Sequence, residues 1–154
     1  MKKILCVCMS STIQRTITFE NLTLTKVNRS RHYRIDASGK AVNSARVLEQ
    51  LEKGCCRVVC PLGEKNLSAF TEPAARDNLN LLYTTIPGQT RECWTLLDQA
   101  AGTTTELVVS EPLLESEEEL KAVAGAEIKI LKIINDLLPE VDALLLAGSR
   151  PKIW

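Results

Sequence analysis

Apolar and polar positions along the chain follow two periodicities. Residues 4–9, Ile-Leu-Cys-Val-Cys-Met, form an unbroken apolar run, the pattern of a strand buried on both faces. From Thr16 to Val27 the pattern alternates, with Ile17 and Phe19, then Leu22 and Leu24 after Glu20-Asn21, then Val27. Such a ribbon has one apolar and one polar face, as in an antiparallel sheet that covers another layer. A second ribbon, Cys93-Trp94-Thr95-Leu96-Leu97 and Thr105-Glu106-Leu107-Val108-Val109, flanks the turn-like Gln99-Ala100-Ala101-Gly102 and predicts a hairpin.

Helical spacing occurs twice. Ala41, Ala45 and Leu48 recur at i, i+4 and i+7, with Val47 and Leu51 widening the stripe and Gly54 ending it. Residues 57–63 then read as a short buried strand, followed by a polar stretch to about Asn80. Ser116, with Glu119 three residues on, forms a capping box that opens a second long helix. Its predicted apolar face runs through Leu120, Ala124, Ile128, Leu131 and Leu138, with Ile130, Ile134 and Leu137 beside it. The acidic run at 115–119 complements the helix dipole and is not read as catalytic. After Pro139 comes another apolar strand, 141–147, leading into Gly148-Ser149-Arg150-Pro151.

Strand, helix, strand, helix, strand predicts an α/β chain with a parallel sheet and right-handed crossovers, to which the alternating ribbons add a small antiparallel sheet. With no repeat or low-complexity linker, residues 1–154 read as one domain. Strand 143–147 is expected at an exposed sheet edge, which favours self-association.

Composition narrows the function classes. With 154 residues, 45% of them apolar, the chain can bury a core as one ordinary soluble domain. Its 19 basic and 19 acidic side chains leave no surplus to attract nucleic acid or an anionic membrane. No apolar run approaches the roughly 20 residues that cross a bilayer, and the amino terminus reads as a first strand and not a signal peptide. The six cysteines sit in apolar stretches, and C-x-C, C-C-x3-C and the single His32 do not supply a zinc ligand set. They read as buried, reduced thiols and imply a cytoplasmic location, with no metal site. His32, inside the basic segment 29–34, reads as a surface strand residue.

Candidate chemistry begins at Ser38-Gly39-Lys40, a small turn with a cation at a helix start, where backbone N–H groups and the positive dipole end favour an anion. It is not a P-loop, because Arg34 stands where the first glycine would be and Ala41 where Ser or Thr would be. The ordered stretches Val27-Asn28-Arg29, 38–48, Gly88-Gln89-Thr90-Arg91, Thr105-Glu106 and Gly148-Ser149-Arg150-Pro151 carry more. In that order the chain resembles the ribokinase-like carbohydrate kinases, in the branch of 1-phosphofructokinase and tagatose-6-phosphate kinase. Residues 38–48 are similar to the family signature Gly-Gly-Lys-Gly-x-Asn-x-Ala-x-x-Leu.

The resemblance implies a ribokinase-like core with a β lid inserted at about 14–36 and 92–110. It implies phosphoryl transfer from ATP, with Mg²⁺, to a phosphorylated ketose, and self-association through the lid. Lys40 and Arg91 match positions facing the sugar phosphate, Asn43 a signature amide that bonds hydroxyls, and Gly39 a signature glycine. Gln14 stands where the family has an Asp that holds sugar hydroxyls, and Ser38 and Ala41 replace signature glycines. The family's nucleotide groove and catalytic base follow the Gly-Ser-x-Pro turn, so no catalytic residue is expected in this chain and ATP and Mg²⁺ are not expected to bind it alone. The expectation is a truncated, sugar-binding half of a phosphosugar kinase, inactive by itself. The alternative is a non-enzymatic dimerisation or regulatory module.

Overall fold

The computed structural model describes residues 2–110 and 114–149. Four strands make the core sheet: β1 (Ile4–Val7), β4 (Cys56–Gly63), β5 (Leu81–Ile86) and β8 (Ala143–Leu146), in the order β5-β4-β1-β8 and all parallel. Four more make a second sheet: β2 (Thr12–Phe19), β3 (His32–Ser38), β6 (Glu92–Asp98) and β7 (Thr103–Val108), ordered β3-β2-β6-β7. Helix α1 (Lys40–Leu51) follows β3, α2 (Ser68–Arg76) follows β4, and α3 (Glu117–Leu137) precedes β8.

Each face of the core sheet has its own apolar cluster. Cys6, Val58 and Cys60 face α1 and α2 and meet Ala41, Val42, Ala45 and Phe70, whereas Leu5, Val7 and Val59 face α3 and meet Ile130. This two-sided burial is why these strands read as unbroken apolar runs. All six cysteines are buried and none is in a disulfide. Burial raises the Cys6, Cys8, Cys56 and Cys60 thiols, Cys60 to about 12, so these sulfurs serve as core filling.

The second sheet corrects the antiparallel expectation. β2 pairs antiparallel with β3 and β6 antiparallel with β7, but β2 and β6 are parallel, with Gln14 opposite Cys93, so the sheet is mixed. Both central strands rise from the carboxyl ends of core strands, β2 after β1 and β6 after β5, and so must point the same way. The hairpin of β6 and β7 forms as the ribbon pattern predicted. The first ribbon does not continue through Leu22, Leu24 and Val27: residues 20–31 are a loop, with Leu24 79% and Val27 77% exposed. Asn28 staples that loop, its Oδ1 accepting from Thr23 N at 2.8 Å and its Nδ2 donating to Thr23 O at 2.8 Å. The actual partner of β2 is β3, whose exposed His32 begins it.

The polar stretch to Asn80 contains α2, whose buried positions Phe70, Pro73 and Ala74 are too few to stand out in sequence. In α1 the buried positions are Ala41, Val42 and Ala45, while Val47 and Leu51 point outward. For α3 the capping box is present, with Ser116 Oγ accepting from Glu119 N at 3.1 Å. Its buried face, however, is Val123, Ala126 and Ile130, with Ile133, Ile134 and Leu137 packed beside them. Leu120, Ile128 and Leu131 are 55%, 70% and 52% exposed, so the predicted face is in fact a flank.

Removing a fully buried side chain costs transfer energy plus a cavity. Ile130→Ala is therefore expected to lose about 2–4 kcal/mol in urea unfolding, against under about 0.5 kcal/mol for Ile128→Ala. The reverse ranking would show that α3 packs on its other flank.

Candidate functional site

Parallel strands carry their connections to one end, and there an open cavity of about 340 Å³ forms. Its lining gathers all five predicted residues, Gln14 from β2, Gly39, Lys40 and Asn43 from the start of α1, and Arg91 from the loop before β6. Sequence reasoning did not assign Ser10, Thr12, Glu106 or Ser149 to it, although Glu106 and Ser149 lie in quoted motif stretches.

Gly39 is fixed by space as well as conformation. Its φ is 128°, and a Cβ there would lie 2.5 Å from Cys8 Sγ and 3.3 Å from Ser10 O. The end of β1 and the start of α1 can approach this closely only with glycine. Burial raises the Cys8 thiol, and nearby backbone N–H groups pull it partly back. Lys40 stands exposed at the rim, and no acidic side chain occupies the first turn. Gly148 closes the opposite wall with φ 114°, where a Cβ would lie 2.8 Å from Ser10 Oγ.

Polar side chains in the cavity are held by defined partners. Asn43 Oδ1 accepts from Arg46 Nη1 at 2.8 Å and Ser38 Oγ at 3.3 Å, which turns its Nδ2 donor the other way. Gln14 Nε2 donates to Thr95 Oγ1 at 2.6 Å and Cys93 O at 3.2 Å, leaving Oε1 as the acceptor. Arg91 Nε donates to Thr12 Oγ1 at 2.8 Å. Its loop is clamped by Asn66, whose Nδ2 donates to Thr90 O at 2.9 Å while Oδ1 accepts from Thr90 N at 2.8 Å. Gly63 N donates to Thr90 Oγ1 at 2.8 Å, and a Cβ on Gly63 would lie 2.1 Å from Thr90 N. The Glu64-Lys65-Asn66 segment thus positions the arginine loop.

Behind the cavity, Arg15 locks β2 to β6. Its Nε and Nη2 bond Glu92 at 2.7 and 2.8 Å, its Nη1 bonds Tyr33 Oη, and its guanidinium lies 5.2 Å over the Trp94 ring. The paired guanidinium holds the Glu92 carboxyl below its ordinary value of 4.5.

Among the described residues, the charged side chains that line the cavity are Lys40, Arg91 and Glu106. That set suits an anion bearing hydroxyls: two cations for the anionic group, an amide donor, an amide acceptor and a carboxylate acceptor for the rest. Among the described residues, Glu49, Cys55 and Cys56 bring three potential metal-ligand atoms within 4.8 Å of one another, a soft donor set. Glu49 already accepts from Gly54 N at 2.7 Å and Cys56 N at 2.8 Å, closing the loop after α1. A larger hollow of about 630 Å³ lies towards the amino-terminal ends of the core strands, but its Arg46 and Asp77 are paired to each other at 2.7 Å.

Comparison with known proteins agrees with this architecture. The chain is 30% identical over 150 residues to the 1-phosphofructokinase of Rhodobacter capsulatus, covering 97% of this chain and 45% of that one. Its fold matches phosphofructokinase-2 from Escherichia coli in complex with fructose-6-phosphate, with a TM-score of 0.76 at 19% identity, over 100% of this chain and 48% of that one. Ribokinase from Thermotoga maritima matches at a TM-score of 0.55 and 16% identity, over 71% and 36% of the two chains. The chain has the fold of the ribokinase-like phosphofructokinases and is similar in sequence to part of one. It spans about half the length of the relatives it matches. No family model matches it. Among the described residues no helix is long and apolar enough to cross a membrane.

Two outcomes follow. Gly39→Ala should lose at least about 2 kcal/mol in urea unfolding from strain and the sulfur clash, with partial recovery in the double variant carrying Cys8→Ala; an unchanged midpoint would contradict the packing. The depressed Glu92 carboxyl contributes stability that is full above pH 4.5 and is lost as pH falls through its lower folded value. Glu92→Gln should therefore flatten the fall in stability below pH 4.5, and an unaltered slope would place the acid-sensitive group elsewhere.

Proposed function

We propose that this chain is the sugar-binding half of a phosphofructokinase-like kinase and that its cavity holds a phosphorylated ketose. The observation that carries the reading is the convergence of Gln14, Gly39, Lys40, Asn43 and Arg91 on one cavity at the carboxyl ends of the parallel strands. Lys40 and Arg91 take the phosphate dianion, Asn43 Nδ2 donates to a hydroxyl, and Gln14 Oε1 and Glu106 accept from hydroxyls. Fructose-6-phosphate is the ligand of the E. coli relative and is the natural probe. Gln14 in place of a carboxylate gives weaker hydroxyl recognition, since it offers one neutral acceptor.

Phosphoryl transfer needs a metal-bound nucleotide and an acceptor-activating base beside positioning groups. The cavity supplies the positioning groups, so the chain by itself binds sugar phosphate and does not phosphorylate it. The second sheet acts as the lid, within the ranges 14–36 and 92–110, and its outer strand offers a self-association surface. Leu107 on that strand and Val109 just after it are more than half exposed, and a tetrameric form is known for the E. coli enzyme, which this fold matches at a TM-score of 0.71 and 17% identity over 98% of this chain and 46% of that one. A binding or assembly module without catalysis fits the same features. The buried thiols suit a reducing, cytoplasmic setting.

Titration calorimetry of the 154-residue chain tests this reading. Fructose-6-phosphate or fructose-1-phosphate should bind and fructose should not, and Lys40→Ala or Arg91→Ala should each weaken binding at least about tenfold. Binding unaffected by either variant, no binding at all, or turnover of ATP with any of these sugars would overturn it.

A further inference from the structure

A second cluster of reactive side chains lies at the opposite end of the core sheet from the cavity, around the turn between α1 and β4. Helix α1 ends at Leu51, and Gly54, with φ 75°, reverses the chain so that β4 starts beside the helix. Glu49, in the last turn of α1, reaches across this reversal. Its Oε2 accepts from Gly54 N at 2.7 Å and its Oε1 from Cys56 N at 2.8 Å. The same reversal brings the Cys55 and Cys56 sulfurs to 3.4 Å from each other. One carboxylate oxygen and both sulfurs thus lie within 4.8 Å of one another. Cys6 of β1 lies behind them, its thiol hydrogen-bonded to that of Cys56.

Three features give this cluster more than a packing role. The separations suit a single ion: tetrahedral zinc, with sulfur at ~2.3 Å and oxygen at ~2.0 Å, holds its ligands about 3.5–3.8 Å apart, so the atoms need shift by only about an ångström. The carboxylate is already oriented, since it has about four acceptor sites and the two N–H bonds hold its oxygens in place while leaving the others free. The cluster can also be reached, because Glu49 and Gly54 line the hollow of about 630 Å³. Sequence spacing hides the set. The carboxylate comes from a helix six residues before the first sulfur, and the sulfurs are on adjacent residues and not two apart as in a zinc pair.

We propose that Glu49, Cys55 and Cys56 form a binding site for a thiophilic divalent cation of the zinc and cadmium class, with a water from the hollow as its fourth ligand. Two sulfurs and one carboxylate oxygen favour such ions over Mg²⁺ and Ca²⁺, which take oxygen ligands. On binding, each ion–sulfur bond forms as the thiol releases its proton to water, and no electron is transferred. The bound set carries one negative charge in excess, and Lys53 lines the same hollow as a counter-charge. Cys6, in contact with Cys56, walls the site on the core side. The ion ties the end of α1 to the start of β4 and so stabilises the folded chain by mass action. None of this rests on the sugar-site reading.

The experiment titrates Cd²⁺ into the 154-residue chain, kept reduced with tris(carboxyethyl)phosphine. One equivalent should bind as the ultraviolet thiolate-to-cadmium charge-transfer band grows, with Zn²⁺ competing for the site and Mg²⁺ not competing. Cys55→Ser and Glu49→Gln should each weaken binding at least about tenfold, whereas Cys60→Ala, further along β4, should leave it unchanged. Saturating Cd²⁺ should also raise the urea midpoint of the unaltered chain. Circular dichroism verifies that the variants fold. Cadmium-edge X-ray absorption of the unaltered chain needs no variant, and should count two sulfur neighbours with oxygen completing the shell. No charge-transfer band, binding indifferent to both Cys55→Ser and Glu49→Gln, equal weakening by Cys60→Ala, or a shell without two sulfurs overturns the proposal.

Discussion

The contact between Gly39 and Cys8 is the constraint on which the arrangement depends. A β-carbon at Gly39 would sit 2.5 Å from the Cys8 sulfur. At this point the end of the core strand β1, the end of β3 in the second sheet and the first turn of α1 share one small volume. Because they do, Lys40 and Asn43 face the same space as Ser10, Thr12 and Gln14. A larger residue at position 39 would push α1 away from β1 and open the cavity from below.

The rest of the cavity is held by pairs of polar contacts that fix loops to strands. Asn66 grips Thr90 by both its amide groups, and Thr90 Oγ1 accepts from Gly63 N, so the loop carrying Arg91 is tied to the end of β4. Arg15, bonded twice to Glu92, ties β2 to the start of β6 immediately beyond that loop. Both side chains are about four-fifths buried, so their pairing is less screened than an exposed ion pair. Preorganisation of this kind lowers the ordering cost of binding a small polar ligand.

Sequence pattern reveals the parallel core because β1 and β4 are buried on both faces and so appear as unbroken apolar runs, as does β8, although that strand is largely exposed at the sheet edge. The cap of α3 is equally legible, since Ser116 and Glu119 interact within one turn. Its packing face is not. Leu120, Ile128 and Leu131 satisfy helical spacing as well as Val123, Ala126 and Ile130 do, and only the placement of α3 over β4 and β5 selects the second set. The stretch at 22–27 alternates without being a strand because Asn28 bonds Thr23 and folds it into a loop. The parallel pairing of β2 and β6 is invisible locally, arising from where each strand leaves the core sheet. The order of motifs singles out Gln14, Gly39, Lys40, Asn43 and Arg91, which line one cavity. Asn66 is not legible in the sequence, because its clamp on Thr90 spans 24 positions and has no local signature.

Amide chemical-shift mapping of the chain titrated with fructose-6-phosphate tests the central claim most directly. The account predicts saturable shifts confined to Gly39, Lys40, Asn43, Arg91 and Gly148, which surround one cavity at the strand ends. Shifts centred instead on Arg46, Lys53 and Asn78 around the larger hollow, or none at saturating sugar phosphate, would contradict it.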